Sequence, residues 1–183
     1  ISEITAVFTT SNARVRLYQM LDWLHTSQVC YCDTDSVIFI YDETNPEHKS
    51  PEKHKPTTFE FGGGLGQWED EFGGKDYIEE LIVGGAKSYS YKTKYGCTKK
   101  GKYQVKQKGI TLDMANDEVV NFDTMREMVL NTAEKGPIDK KKDKEFDPER
   151  QIQTKERFQF KWDTQSKDII TTHISRSIRS TIN

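Results

Sequence analysis

Two carboxylates stand two residues apart in Tyr31-Cys32-Asp33-Thr34-Asp35-Ser36. Holding Asp33 and Asp35 this close costs Coulombic repulsion, which a bound divalent cation offsets. Mg²⁺ suits such a pair, because it takes hard oxygen ligands and usually one or two protein carboxylates together with substrate phosphates. A second run has the opposite character. From Lys87 to Lys108 there are eight lysines, no acid, and four tyrosines (Tyr89, Tyr91, Tyr95, Tyr103). Clustered ammonium groups neutralise phosphates, and tyrosine stacks on bases or donates to phosphate, so this stretch suits a nucleic acid. The plainer alternative is a solvated β-hairpin whose lysines discourage edge pairing.

Other readings of the aspartate run compete. Asp favours turns through local backbone hydrogen bonds, so an ordinary Asp-rich turn is one alternative. An aspartic-protease motif needs Gly where Asp35 stands, and a calcium loop needs Gly at its sixth position, which is Ile38. The spacing Asp33-x-Asp35-x-Val37 is also similar to that of haloacid-dehalogenase-type phosphotransferases. Those require a further acidic pair after an apolar strand, and no such strand precedes Glu69-Asp70-Glu71. Gly62-Gly63-Gly64-Leu65-Gly66 is not followed by the Lys-Ser/Thr of a phosphate loop and reads as a close-packed or flexible turn. His25, His48, His54 and His173 lack metal-ligand spacing and read as surface or packing residues, and Cys30 and Cys32 as packing residues of a strand.

The elements that must position these residues follow from periodicity. Residues 3–25 form an expected amphipathic helix, with Ile4, Phe8, Val15, Tyr18 and Leu21 on its packed side. Val29–Cys32 and Val37–Tyr41 form a β-hairpin with the aspartates at its tip. Residues 42–59 carry three prolines and read as a loop, and a helix or strand is expected around Tyr77–Val83. The Lys/Tyr run makes two strands, about 87–96 and 102–108, turning through Thr98–Gly101. Asn121 caps a helix over 122–132, where Phe122, Met125, Met128 and Val129 share a face. Residues 133–150 are charged and expected to be mobile. Arg157–Trp162 and Ile169–Thr172 are β-like and lead into a basic tail with Arg176 and Arg179.

Composition sets the outer bounds. The 183 residues carry 27 Lys and Arg against 29 Asp and Glu, a formal charge of −2, with 34% hydrophobic and 31% charged residues. Near-neutrality conceals segregation, since Asp42 to Glu80 holds eleven acids against four lysines. The longest apolar run, Val37–Tyr41, is far below the roughly 20 residues that span a bilayer, so no membrane partner is expected. No basic-then-apolar leader is visible, and three cysteines make an odd count, so reduced thiols in an intracellular compartment are expected. The chain opens on Ile1 rather than Met, and is expected to be a piece of something longer.

These residues taken in order resemble family B DNA polymerases. Tyr31-x-Asp33-Thr34-Asp35-Ser36 matches the third palm motif at all five specified positions. Phe8-Thr9-Thr10-Ser11-Asn12-Ala13-Arg14 through Leu17-Tyr18 resembles the helix that precedes that hairpin, and Lys87-Ser88-Tyr89, after Gly84-Gly85-Ala86, resembles the Lys-x-Tyr motif. Lys108-Gly109-Ile110-Thr111-Leu112 is similar to the segment leading from palm to thumb, and Leu65-Gly66-Gln67-Trp68-Glu69-Asp70-Glu71 looks most like the protein-primed branch, which includes viral, organellar-plasmid and Polinton-type enzymes. The resemblance runs from about residue 5 to the end and is weakest over 133–156.

The resemblance implies an α+β fold: an antiparallel palm sheet with a packed helix and catalytic hairpin over 1–109, and a small thumb over 110–183. It implies template-directed transfer of a nucleotide from a dNTP to a primer 3′-hydroxyl with two Mg²⁺ ions. Asp35 is then a metal ligand and Asp33 a second catalytic carboxylate that also binds metal, with Tyr31, Thr34 and Ser36 supporting the hairpin. Lys87, Tyr89, Tyr91, Lys92 and Lys108 hold primer-template DNA, and a terminal protein is the candidate primer. The family's first and second palm motifs are missing from these 183 residues. The chain alone is therefore expected to be inactive, and a non-catalytic DNA-binding remnant of a mobile element is the alternative.

Overall fold

The structure is a computed structural model that describes residues 2–96, 101–108, 118–138, 146–163 and 168–179, with the strands beyond residue 152 as backbone only. The expected turn through Thr98–Lys100 and the expected palm–thumb boundary at 109/110 lie outside the described residues. The fold mixes helices with antiparallel sheets, and the chain divides into two compact units, Ile1–Gly74 and Lys75–Asn183.

In the first unit α1 (Glu3–Trp23) is followed by a 3₁₀ turn (Thr26–Gln28) and by the hairpin β1 (Val29–Asp33) and β2 (Ser36–Phe39). The helix has no Gly or Pro, and its mid-helix hydroxyls bond back to the preceding turn, Thr9 to the Thr5 carbonyl and Thr10 to that of Ala6. It ends at Leu24, whose N–H still reaches the Met20 carbonyl while its backbone turns extended. The hairpin pairs Asp33 with Ser36 and Cys32 with Val37, and a bulge between Val29 and Tyr31 shifts the register.

The packed side of α1 is not the expected one. Ile4, Phe8 and Tyr18 are 69%, 65% and 73% exposed, whereas Met20 is 2% and Leu24 4%. At about 100° per residue, Met20 and Leu24 lie roughly opposite Ile4, Phe8 and Val15 on the helix. The expected stripe is therefore real but faces outward. The core gathers instead around the last helical turn, with Met20, Leu24 and Phe59 buried and Val29, Val37 and Phe39 of the hairpin packed on them. Trp23, Phe59 and Phe61 meet edge-to-face at centroid distances of 5.6–5.8 Å. The thiols also differ from expectation. Cys30 and Cys32 are both exposed, because the apolar partners of the hairpin lie over its other residues.

The second unit holds a three-stranded antiparallel sheet, β3 (Ile78–Gly85), β4 (Ser88–Thr93) and β5 (Tyr103–Gln107), in that order. One face is covered by α2 (Phe122–Lys135), which begins at the expected Asn121. Its side chain accepts the Thr124 N–H while the Thr124 hydroxyl accepts the Asn121 N–H, a reciprocal cap. Phe122, Met125 and Met128 are fully buried, and Val105, Val120 and Ile152 complete this core.

The middle of the segment 133–150, residues 139–145, lies outside the described residues, and its two ends are structured. The helix runs on to Lys135, and Arg150 bonds both Asp147 and the Gly136 carbonyl. Two long strands follow, β6 (Gln151–Asp163) and β7 (Asp168–Arg179), paired antiparallel. Arg176 and Arg179, read as a tail, are strand residues opposite Thr154 and Gln151. Alternation in β6 and β7 is diluted by polar residues, so the sequence showed only their most apolar stretches.

The two sides of α1 give a direct comparison. Met20→Ala should cost about 2–4 kcal/mol in denaturant unfolding, as expected for a large-to-small change in a core. Phe8→Ala should change stability by no more than about 0.5 kcal/mol.

Candidate functional site

The tip of the first hairpin is built under strain. Thr34 has φ +50°, a conformation that a β-branched residue rarely adopts. The Asp35 N–H reaches the Asp33 carbonyl at 2.6 Å, closing a three-residue turn, and the Ser36 hydroxyl donates to the same carbonyl at 3.1 Å. Thr34 also donates its hydroxyl to Asp33 Oδ1 at 2.8 Å. Asp33 ends β1 half-buried, Asp35 projects from the turn exposed, and Tyr31 sits half-buried opposite Ile38. A phosphotransferase of the dehalogenase type would put its aspartate at the end of a parallel strand. Among the described residues every pair of strands is antiparallel, and Asp33 ends an antiparallel strand.

The base of the hairpin rests on a residue the sequence did not flag. Gln28 is 0% exposed and its amide is completely used. Oε1 accepts the N–H groups of His25 and Lys49, and Nε2 donates to the carbonyls of Ile40 and Lys49. Its own carbonyl accepts the Ile40 N–H at 2.8 Å. Beside it runs a chain of bonds from Asp42 N–H to His48 Nδ1, from His48 Nε2 to the Ser27 hydroxyl, and on to His25 Nδ1 at 2.8 Å, with Glu47 3.3 Å from His25 Nε2. His48 is buried in this network, a packing role as expected. A polar side chain directly after a predicted helix has no periodic signature, which is why Gln28 was invisible. The Gly-rich stretch is likewise structural, since the Gln67 amide fills it, accepting the Gly64 N–H and donating to Glu60.

The expected DNA-binding residues all lie in the second unit. The turn between β3 and β4 is Ala86-Lys87, and Lys87 takes φ +58°, again unusual for a residue with a side chain. The Lys108 N–H donates to the Lys87 carbonyl at 2.9 Å, so these two lysines share one end of the sheet. Along β4, Tyr89 and Tyr91 lie on one face with rings stacked at 6.3 Å and 15°. Tyr89 is half-buried, whereas Tyr91 is only 7% exposed and offers little ring surface. Lys92 falls on the opposite face. Its ammonium sits 4.1 Å from the centre of the Phe122 ring and 3.3 Å from Asp123, binding α2 to the sheet. Lys94 pairs with Glu79 at 3.0 Å, and that carboxylate raises its pKa above the ordinary lysine value.

Among the described residues no group of three or more His, Cys, Asp or Glu is arranged to hold a metal ion. Asp33 and Asp35 supply two hard oxygen donors at an exposed tip, and this donor set suits a Mg²⁺ that draws its remaining ligands from water and phosphate. Among the described residues no helix is long and apolar enough to cross a membrane.

Gln28 sets a sharp test of this architecture. Gln28→Ala removes the partner of the His25 and Lys49 N–H groups and of the Ile40 and Lys49 carbonyls and should cost about 2 kcal/mol by denaturant titration. Gln28→Glu keeps the acceptor but turns an oxygen toward the Ile40 and Lys49 carbonyls, so it should be no better tolerated at neutral pH. No family model matches this chain, and no curated protein or solved structure is similar to it.

Proposed function

We propose that this chain is the C-terminal palm and thumb portion of a family B DNA polymerase of the protein-primed branch, which transfers a nucleotide from a dNTP to a primer 3′-hydroxyl. The observation that carries the reading is the strained antiparallel hairpin. The run Tyr31-x-Asp33-Thr34-Asp35-Ser36 occupies its end, with both carboxylates at or beside the tip. Backbone strain clusters where a side chain must be held in a fixed position, and an ordinary surface turn would place Gly or Asn at residue 34. A second support is Lys87-Ser88-Tyr89, which opens β4 from another turn with positive φ.

In this reading Asp35 and Asp33 hold Mg²⁺, and Thr34 and Ser36 fix the tip through their hydroxyl bonds to Asp33. When bound, Mg²⁺ lowers the pKa of the attacking hydroxyl and neutralises charge on the pyrophosphate leaving group. Lys87 places its ammonium against a primer phosphate, and Tyr89 lends its hydroxyl or ring to the primer end. The palm assignment covers residues 1–109, and α2 with the β6–β7 hairpin is the thumb. With only two carboxylates in the described site, the isolated chain binds Mg²⁺ weakly and does not turn over. A DNA-binding remnant without chemistry is the alternative that this same deficit favours.

Primer extension separates the two. The 183 residues alone should incorporate no nucleotide. Joined to a polymerase segment that supplies the first and second palm motifs, they should extend a primer, and Asp35→Ala should return the rate to background. Extension by the isolated chain, abolished by Asp35→Ala, would show that its two carboxylates suffice. No extension by the joined protein would favour the remnant.

Lys87→Gly offers an independent check. Glycine relieves the positive φ, which on the backbone alone is worth about 0.5–1 kcal/mol. DNA affinity should fall, with the slope of log K against log salt shrinking by about 0.9. A gain in stability with unchanged DNA affinity would assign Lys87 to the turn alone.

A further inference from the structure

The eight lysines of the run are not equivalent once the strands are in register. Val105, Ser90 and Lys92 all point to the face covered by α2, because Val105 packs with Met125 and Met128, Ser90 is its cross-strand neighbour, and Lys92 contacts Phe122. Alternation then puts Tyr89, Tyr91, Gln104 and Lys106 on the other face. Lys106 is the direct partner of Tyr89, so their Cβ atoms are about 4.5–5.5 Å apart. Lys106 is exposed and forms no ion pair with a described residue, in contrast to Lys92 and Lys94, whose charges are met by Asp123 and Glu79. The backbone bond from Lys108 to Lys87 brings two more ammonium groups to the same end of the sheet.

We infer that Lys106 is a further nucleic-acid contact. It places an ammonium beside the Tyr89 ring, so that one strand of DNA meets a cation and an aromatic surface side by side. The inference rests on the DNA-binding reading above and adds a residue to it. It also separates Lys106, which meets no described acid, from Lys92 and Lys94, which do. A phosphate lies one sugar away from the base or ribose that a ring covers, so a cation next to an aromatic group suits a single strand or a primer end.

The test is fluorescence anisotropy of the full chain with labelled primer-template DNA over a salt series. Lys106→Ala should weaken binding several-fold at low salt and reduce the salt slope by about 0.9, as for one phosphate contact. Lys106→Arg should restore both. Lys94→Ala, which breaks only the pair with Glu79, should leave the slope unchanged. A wild-type slope in Lys106→Ala, alongside a reduced slope in Lys87→Ala, overturns the role of Lys106 while leaving the DNA reading in place. Absence of DNA binding by the wild-type chain overturns both. Equal losses of slope in Lys106→Ala and Lys94→Ala would show a diffuse charge effect and would also decide against a defined contact.

Discussion

The amide of Gln28 is the constraint on which the first unit depends. A buried primary amide is costly unless both lone pairs and both hydrogens are met, and at Gln28 all four are. The groups that meet them come from three places: His25 at the start of the 3₁₀ turn, Ile40 at the end of the hairpin, and the loop at Lys49. One side chain thereby closes a region in which 34% hydrophobic content leaves little apolar surface to do so. The His25–Ser27–His48 chain lies directly beside it and ties the same loop to the 3₁₀ turn. With its base fixed by hydrogen bonds and its middle by Val29, Val37 and Phe39, the hairpin can hold a strained turn at its far end.

That strain is the second element of the argument. Two of the described residues other than glycine have positive φ, Thr34 and Lys87, and each sits in the two-residue turn of a hairpin. Left-handed geometry costs a side-chain-bearing residue on the order of 1 kcal/mol, and glycine would remove the cost. The sequence keeps a hydroxyl at one turn and an ammonium at the other. The hydroxyl has a visible task, the 2.8 Å bond to Asp33 Oδ1. Local rules broken at two places that independently carry chemistry-bearing residues fit a pattern in which function is set against stability.

Legibility in the sequence followed how local the determinants were. The helix at 122 was readable because its cap, Asn121, and its buried positions, Phe122, Met125 and Met128, lie within eight residues. The aspartate hairpin was readable because two β-rich runs flank a turn-forming tetrad. The packed side of α1 was not, because the helix has apolar residues on opposite sides and only the tertiary partners Phe59 and Phe61 choose between them. Exposure of Cys30 and Cys32 was hidden for a related reason, since β1 alternates regularly and only the tertiary partners packed on Val29, Val37 and Phe39 decide which of its faces is covered. Gln28 acts through the chain at residues 40 and 49, and nothing near it in sequence marks that role.

The lysine run shows how composition can overstate a field. Eight positive charges without an acid suggest a uniform basic ribbon, yet register and alternation bring acids from elsewhere to part of it. Asp123 reaches Lys92 from α2, Glu79 reaches Lys94 from β3, and Arg126 is met in turn by Glu80. Exposed pairs of this kind contribute little stability, about 0–1 kcal/mol each, but they cancel charge on the faces where they form. Cancellation where α2 meets the sheet lets the helix lie there without repulsion, while Lys106 is met by no described acid. The field that an approaching anion meets is then set by position more than by number. A phosphate within a Debye length of about 8–10 Å is drawn to an unpaired ammonium such as that of Lys106 more than to Lys92, whose charge Asp123 already meets.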